Sequence, residues 1–450
     1  MNITVLNGSP SGQDSITLFT VRYIEKHFPD HHFRVLDVGQ RIRAMEKKKD
    51  EWIAEMRAAD LIMFCYPVYT FLAPAQLHRF IAMMKESGVS FEGKAATQVT
   101  TSKHFYDITA HRYVEDNCHD MGLKVIRGLS ADMDDLTGAR GRREALQFFE
   151  NVLWSMEKGI YEPAPVRLPA APLKAACPEA AKLTGPAPRR VAVVADLSDD
   201  SSGRLQSMIA RLQSRLACET QVTDIGAFPF AGGCLGCFHC AADGQCVYRD
   251  GFSDMLRDKI QTADAIVYAF TVRDHSMGVK LKTFDDRQFC NGHRTVTMGR
   301  PVGYLIDGEM SREENLRALI EARAQVGGNA LAGTASTERD PDGEIDALAQ
   351  RLSRYVTEKY VPPRNFYGVG GMKIFRDLIW QMQGLMREDH RNYKAHGFYD
   401  FPQKKRGRMM AMYLVGAMMN SPKLRKKLGG RLTEGMTGPY KKALDREPEP

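Results

Sequence analysis

ITVLNGSPSGQDSITLF, residues 3–19, decides how the chain is read. Ile3 to Leu6 is an apolar run of strand length, NGSPSG is a turn, and apolar residues then recur at helical spacing from Ser15 to Phe28. Strand, loop and helix return in the same order downstream. Ala59 to Cys65 runs into the loop YPVYTFLAP, and helical spacing follows over Gln76 to Met84. Ala95 to Thr101 predicts a strand, Tyr106 to Met121 a helix and Leu123 to Leu129 a further strand. Strands separated by helices predict a mostly parallel sheet covered on both faces.

The pattern then breaks and restarts. Seven of the 21 prolines, from Pro163 to Pro188, fall in an Ala-rich stretch that reads as a linker over 161–188. VAVVADL at Val191 to Leu197 opens a second round, with a loop SDDSSG and a helix from Arg204 to Arg215. Val222 to Ile225, Ala265 to Phe270 and Val302 to Asp307 are further strands; helices are predicted near Phe252 to Thr262, Lys280 to Phe289 and Arg312 to Gln325. The expected organisation is one α/β domain over 1–160, the linker, a second over 189–360 and a basic helical extension over 361–450. In that extension Phe375 to Met386 and Met409 to Met419 are helical, with the polar stretch Arg387 to Arg408 between them.

Length and composition narrow the class. A chain of 450 residues has room for about three domains, and 43% hydrophobic with 26% charged residues is ordinary for a globular protein. Of the net charge of +7, residues 361–450 hold 18 Lys or Arg against 8 Asp or Glu, so the main body carries no basic excess and no nucleic acid is expected as partner. The apolar run Met409 to Met419 is half the length that a bilayer requires, and the N-terminus lacks the pattern of an export signal, so a cytoplasmic location is expected.

GGCLGCFHCAADGQC places Cys234, Cys237, Cys240 and Cys246 within 13 residues at spacing C-x2-C-x2-C-x5-C. Thiolates are soft ligands, and four in one glycine-rich loop can turn inward on a compact iron-sulfur core. A structural zinc and unligated redox thiols remain open beside that reading. Cys65, Cys118, Cys177, Cys218 and Cys290 lack such clustering and read as inert.

A second site is expected at the ends of the first-domain strands. Backbone N–H groups of NGSPSGQDS and the hydroxyls of Ser9, Ser11 and Ser15 can surround a phosphate at a helix N-terminus. There is no P-loop Lys-Ser/Thr and no GxGxxG. In the next loop a flat ring can rest against Tyr69 or Phe71, and Thr100, Thr101, Ser102, Lys103 and His104 supply donors after the following strand. Tyr106 and His111 are further donors there. Asp274, His275, Asp285 and Asp286 form another polar set, to which no acid-base role is assigned without a cavity.

LNGSPSGQDS and YPVYTFLAPAQLHRF resemble the NAD(P)H-dependent FMN reductases, and the cysteine motif resembles that of their relatives, the iron-sulfur flavoproteins; together the resemblance covers about 60% of the chain. It implies an α/β fold of two flavodoxin-like, doubly wound parallel-sheet domains in tandem, followed by the helical C-terminal extension. It implies FMN on the first, with phosphate over Ser9, Ser11, Gly12, Asp14, Ser15 and Ile16 and the ring near Pro67, Val68, Tyr69, Thr70 and Phe71 and residues 100–104. It implies a [4Fe-4S] cluster on Cys234, Cys237, Cys240 and Cys246. In the second domain ADLSDDSSGRL and FTVRDHSMG stand where the flavin loops should be, and Asp196, Asp199 and Asp200 would repel a phosphate, so flavin loss is expected there. Family members commonly pair so that a flavin lies near a neighbour's cluster, an arrangement that two domains of one chain can reproduce internally.

The expected function is an iron-sulfur flavoprotein oxidoreductase relaying electrons between FMN and the cluster, with NAD(P)H as a candidate diffusible donor and a ferredoxin-like carrier as a candidate partner. An NAD(P)H-dependent FMN or quinone reductase with structural zinc is the first alternative, and a non-catalytic electron-transfer or scaffold protein the second. Homo-oligomerisation and a peripheral contact through the basic C-terminal segment complete the expectations.

Overall fold

The structure, a computed structural model, describes residues 1–166, 169–404, 406–423, 437 and 444. It divides into a compact unit from Met1 to Asn392 and a second from Tyr393 to Pro450. The larger unit contains two wholly parallel sheets. The first comprises β1 (Asn2–Asn7), β2 (His32–Leu36), β3 (Leu61–Pro67), β4 (Ala95–Ser102), β5 (Lys124–Val125) and β6 (Leu129–Asp132) in the order β2-β1-β3-β4-β5, with β6 also on β4. The second comprises β7 (Arg190–Ala195), β8 (Glu219–Asp224), β9 (Ala265–Thr271), β10 (Pro301–Asp307) and β11 (Ala330–Ser336) in the order β8-β7-β9-β10-β11. The two orders are the same connectivity used twice, and each is the doubly wound flavodoxin-like order.

Each sheet is sealed by its own helices. Ile3, Val5, Leu61, Met63 and Val99 meet Leu18, Val21 and Ile24 of the helix Ile16–His27 and Phe149 and Val152 of the helix Ala139–Lys158. Val191, Val193, Val267 and Leu305 likewise meet Leu205, Met208 and Leu212 of Arg204–Arg215 and Leu348 and Leu352 of Pro341–Glu358. The predicted strand Leu123 to Leu129 is two strands: at Gly128 a Cβ would lie 2.6 Å from the Gln98 carbonyl oxygen, and the chain bends away there to let β4 pass.

The domains face each other through equivalent helices. Gly278–Arg287, which follows β9, packs on Ala75–Glu86, which follows β3; Glu314–Gly327 packs on Asp107–Asp120 in the same relation. This is the isologous geometry of a two-fold dimer, made within one chain. The proline-rich stretch is strapped along the second domain: Lys174 N–H donates to Thr337 O at 2.7 Å, Cys177 N–H to Asp342 at 2.8 Å and Leu183 N–H to Arg215 O at 2.8 Å. The extension begins as a helix at Phe366, nine residues before the predicted start, and ends at Gln381. Its glycines, poor helix formers, serve close packing: a Cβ on Gly371 would lie 2.7 Å from Val326 and 3.0 Å from Phe105. A helix also occupies Arg387–Ala395, inside the stretch read as polar spacer, and Arg406–Met419 is helical.

Candidate functional site

At the C-terminal end of β1, Asn7 is fully buried and its amide donates to Gly12 O at 2.8 Å and to Asp37 at 2.9 Å, closing the loop over itself. Ser11 N–H donates to Ser9 Oγ at 3.2 Å. Gly12 has φ +57°, and a Cβ there would run into Gln40, so the turn requires glycine. Ser15 caps the helix by accepting from Leu18 N–H at 3.4 Å. Among the described residues the N–H groups of Ile16 and Thr17 have no acceptor. These two donors at a positive helix end, with Ser9, Ser11 and Ser15 around them, form a cradle for an anion such as the FMN phosphate. Asp14 stands exposed at its edge.

The second loop leaves β3 at Pro67. Val68 N–H donates to Thr101 O at 3.3 Å, and Tyr69 and Leu72 exchange backbone hydrogen bonds of 2.8 and 3.0 Å around a tight turn. Thr70 (φ 45°) and Phe71 (φ 71°) are left-handed without being glycine, a conformation that persists only when its surroundings enforce it. The enforcement comes from the second domain. Lys282 Nζ donates to Tyr69 O at 2.7 Å, Thr70 Oγ1 to Asp286 at 2.8 Å and Ala75 N–H to Asp286 at 2.8 Å, while Lys282 and Asp286 pair at 2.5 Å with both side chains fully buried. Burial pushes the Asp286 carboxyl up, against the pull of Lys282.

The third loop divides its candidates by strand alternation. Thr101 faces the phosphate side, where its hydroxyl bonds that of Thr17 at 2.6 Å; Thr100 faces the other side and bonds His111 Nε2 at 2.7 Å. Ser102 Oγ accepts from His104 N–H at 2.8 Å, Lys103 pairs with Asp132 at 2.8 Å and Asp134 at 2.5 Å, and His104 pairs with Asp107 at 2.9 Å. Phe71 packs on Phe105 and Tyr106, with centroids 4.9 and 4.5 Å away, and Phe105 stacks on Phe375 of the helix Phe366–Gln381 at 4.0 Å.

The cysteine loop lies against this ring loop. Gly236 has φ +63°, and a Cβ on it would run into the Tyr69 hydroxyl; Gln76 Nε2 donates to Cys234 O at 3.1 Å, and Arg43 donates to Ala231 O. Arg287 ties both ends of the loop, donating to Gly232 O at 3.0 Å and to both Asp250 oxygens at 2.8 Å, with its guanidinium over Tyr248 and Phe252. Cys237 is exposed and Cys234, Cys240 and Cys246 are partly buried. Burial pushes the Cys234 thiol up to about 12 and Cys240 to about 11; for Cys240 the neighbouring Cys290 and Cys246 add to it. Four thiols are the right donor set for a soft metal, but among the described residues no three Cys, His, Asp or Glu side chains are gathered to hold one. Cys290, read from sequence as an isolated thiol, is buried beside this loop. Lys282 and Arg287 were given no role by the sequence; the i, i+4 spacing of Lys282 and Asp286 was the signal for the first, and Arg287, whose partner Asp250 is remote in sequence, had none.

The second domain repeats the ring-loop turn and not the phosphate cradle. Arg273 and Ser276 exchange backbone bonds of 3.0 and 2.8 Å, with Asp274 (φ 50°) and His275 (φ 60°) left-handed like Thr70 and Phe71. At the start of Arg204–Arg215, however, the buried Asp200 carboxylate accepts from Leu205 N–H at 3.2 Å and Gln206 N–H at 2.9 Å. The helix end that binds an anion is already filled by the chain's own carboxylate. Beside it is a cavity of about 390 Å³, lined among others by Asp199, Arg204, Arg273, Asp307 and Glu313.

Residues 1–130 match the sequence family described as NADPH-dependent FMN reductase. The chain is, at low identity to its relatives, a flavodoxin-like, flavin-dependent oxidoreductase, and the family that its first domain matches supports FMN binding. It is 26% identical over 176 residues to an iron-sulfur flavoprotein of Archaeoglobus fulgidus, covering 37% of this chain and 79% of that protein. It is 34% identical over 76 residues to an FMN-dependent NADH:quinone oxidoreductase of Vibrio parahaemolyticus, covering 14% of this chain and 39% of that one. A putative quinone reductase of Klebsiella pneumoniae is a similar solved structure, at 17% identity and TM-score 0.29, covering 37% of this chain and 88% of that one.

Proposed function

We propose that the protein is an FMN-dependent reductase that takes electrons from NAD(P)H and delivers them to a quinone-like acceptor, with one FMN per chain, on the first domain. Bound FMN supplies the exchange of two electrons with a hydride donor and their release singly or together. The chain's own residues do the rest. Ile16 and Thr17 N–H, with Ser9, Ser11 and Ser15, hold the phosphate; Pro67 to Phe71 lie along the ring; Lys282 and Asp286 keep that loop in its left-handed turn. The observation that carries the reading is the contrast between the two helix ends: free donors at Ile16 and Thr17, an internal carboxylate at Leu205 and Gln206. NAD(P)H-driven reduction of a soluble quinone by the FMN-loaded protein tests it; failure to reduce the flavin with either nucleotide contradicts it.

A second reading is favoured by the contact of Tyr69 with Gly236 and by the Archaeoglobus fulgidus relative. In it the four thiols hold a [4Fe-4S] cluster that exchanges single electrons with the neighbouring flavin and with a small acidic carrier. Arg287 holds the loop ends for that ligand set. Anaerobic purification should then yield about four irons and four sulfides per chain, reduced in the Cys237→Ser variant while FMN content is kept; one zinc and no iron assigns the loop to a structural metal instead.

A further inference from the structure

The helix Arg406–Met419 carries MMAMYLVGAMM from Met409 to Met419. Met409, Met410, Met412, Tyr413, Leu414 and Met418 are all exposed, Tyr413 to 69% and Leu414 to 67%. At about 100° per residue these residues spread over about two thirds of the helix circumference, with Val415 and Met419 half-buried on the remaining face, and an exposed apolar arc that broad calls for a covering surface. Its 14 residues reach about 21 Å, short of the roughly 30 Å of a bilayer core, and no helix among the described residues is long and apolar enough to cross a membrane.

Charge selects among the surfaces that could cover it. Residues 401–433 contain nine Lys or Arg and no Asp or Glu. A second copy would bring the same positive charge against it. A groove on an acidic protein would match the charge but cover only part of that broad apolar arc. A bilayer surface with anionic headgroups meets both demands.

We propose that this segment docks the protein on an anionic membrane surface, with the helix lying at the boundary of headgroups and acyl chains. Met409, Met410, Met412, Tyr413 and Leu414 share one broad face and then enter the acyl region together, with the Tyr413 hydroxyl reaching toward the headgroups, and the flanking Lys and Arg meet the headgroups. The inference stands independently of the redox reading.

Flotation of the full chain with vesicles of phosphatidylcholine, alone or mixed with phosphatidylglycerol, tests it. Binding is expected only to the mixed vesicles. Lys404→Gln, Arg406→Gln and Lys423→Gln should each weaken it about fivefold. Leu414→Glu and Met410→Glu, both at exposed positions, should abolish it with FMN content unchanged. No flotation with the mixed vesicles, or equal flotation with both kinds, overturns the proposal. So does self-association lost in Leu414→Glu without vesicle binding, which assigns the helix to a second copy, and so does salt-sensitive retention on polyglutamate without vesicle binding, which assigns it to an acidic protein.

Discussion

Lys282 and Asp286 are charged and fully buried, and between them they hold Tyr69 O, Thr70 Oγ1 and Ala75 N–H. Such a pair contributes little net stability against an apolar equivalent, yet removing one partner strands the other in a dry site. Lys282→Met should therefore cost about 3–5 kcal/mol of unfolding free energy in urea. The double variant Lys282→Met/Asp286→Leu should recover much of that stability while still binding FMN more weakly, because the Thr70–Phe71 turn has lost its grip. Full recovery of FMN affinity in the double variant would show that the pair does not position the ring loop. Gly12→Ala, which meets both a left-handed φ and the Gln40 side chain, should lower FMN affinity with the sheet intact, as read by fluorescence quenching of added FMN.

At the scale of elements, the second-domain turn answers the first across the interface. His275 lies between Asp120 at 2.9 Å and Glu313 at 3.0 Å. Burial disfavours its charge, but hydrogen bonds and the fields of the two carboxylates outweigh burial and raise it to about 9. With the ring's ordinary value near 6.5, this contact contributes fully below about pH 6.5 and is lost as pH rises through about 9, amounting to about 3 kcal/mol at most. The depressed carboxyl of Asp120 is the other side of the same interaction. Unfolding midpoints in urea should fall between pH 7 and 9.5, and His275→Gln should flatten the slope; an unchanged slope would remove His275 from the interface account. Sequence periodicity showed the central strands β1, β3, β4, β7, β9 and β10, because burial on both faces makes most of them runs of apolar residues, the fully buried but Thr-rich β4 excepted. It missed one edge strand of each sheet: HFRVL of β2 is short and partly exposed, and ALAGTAS of β11 has small, polar members. It also passed over Ala139–Lys158, whose apolar stripe is diluted by charge, and Pro341–Glu358.

In the whole molecule, one helix joins the two candidate redox loops. Asp286 holds the ring loop of the first domain and Arg287, the next residue, ties the cysteine loop of the second. Sequence alone showed both loops, through LNGSPSGQDS, YPVYTFLAP and the cysteine spacing, but their contact depends on packing of equivalent helices from domains some 200 residues apart, which leaves no local pattern. Arg287→Met should loosen the cysteine loop and speed modification of Cys234 and Cys240 by a thiol reagent severalfold, with FMN content unchanged; unaltered thiol reactivity would contradict the clamp. The central claim is that one of two equivalent domains takes flavin while the other fills its own helix end with Asp200. Extraction and quantitation of FMN from the FMN-saturated, desalted protein tests this most directly. The account predicts one FMN per chain; two, or none, would contradict it.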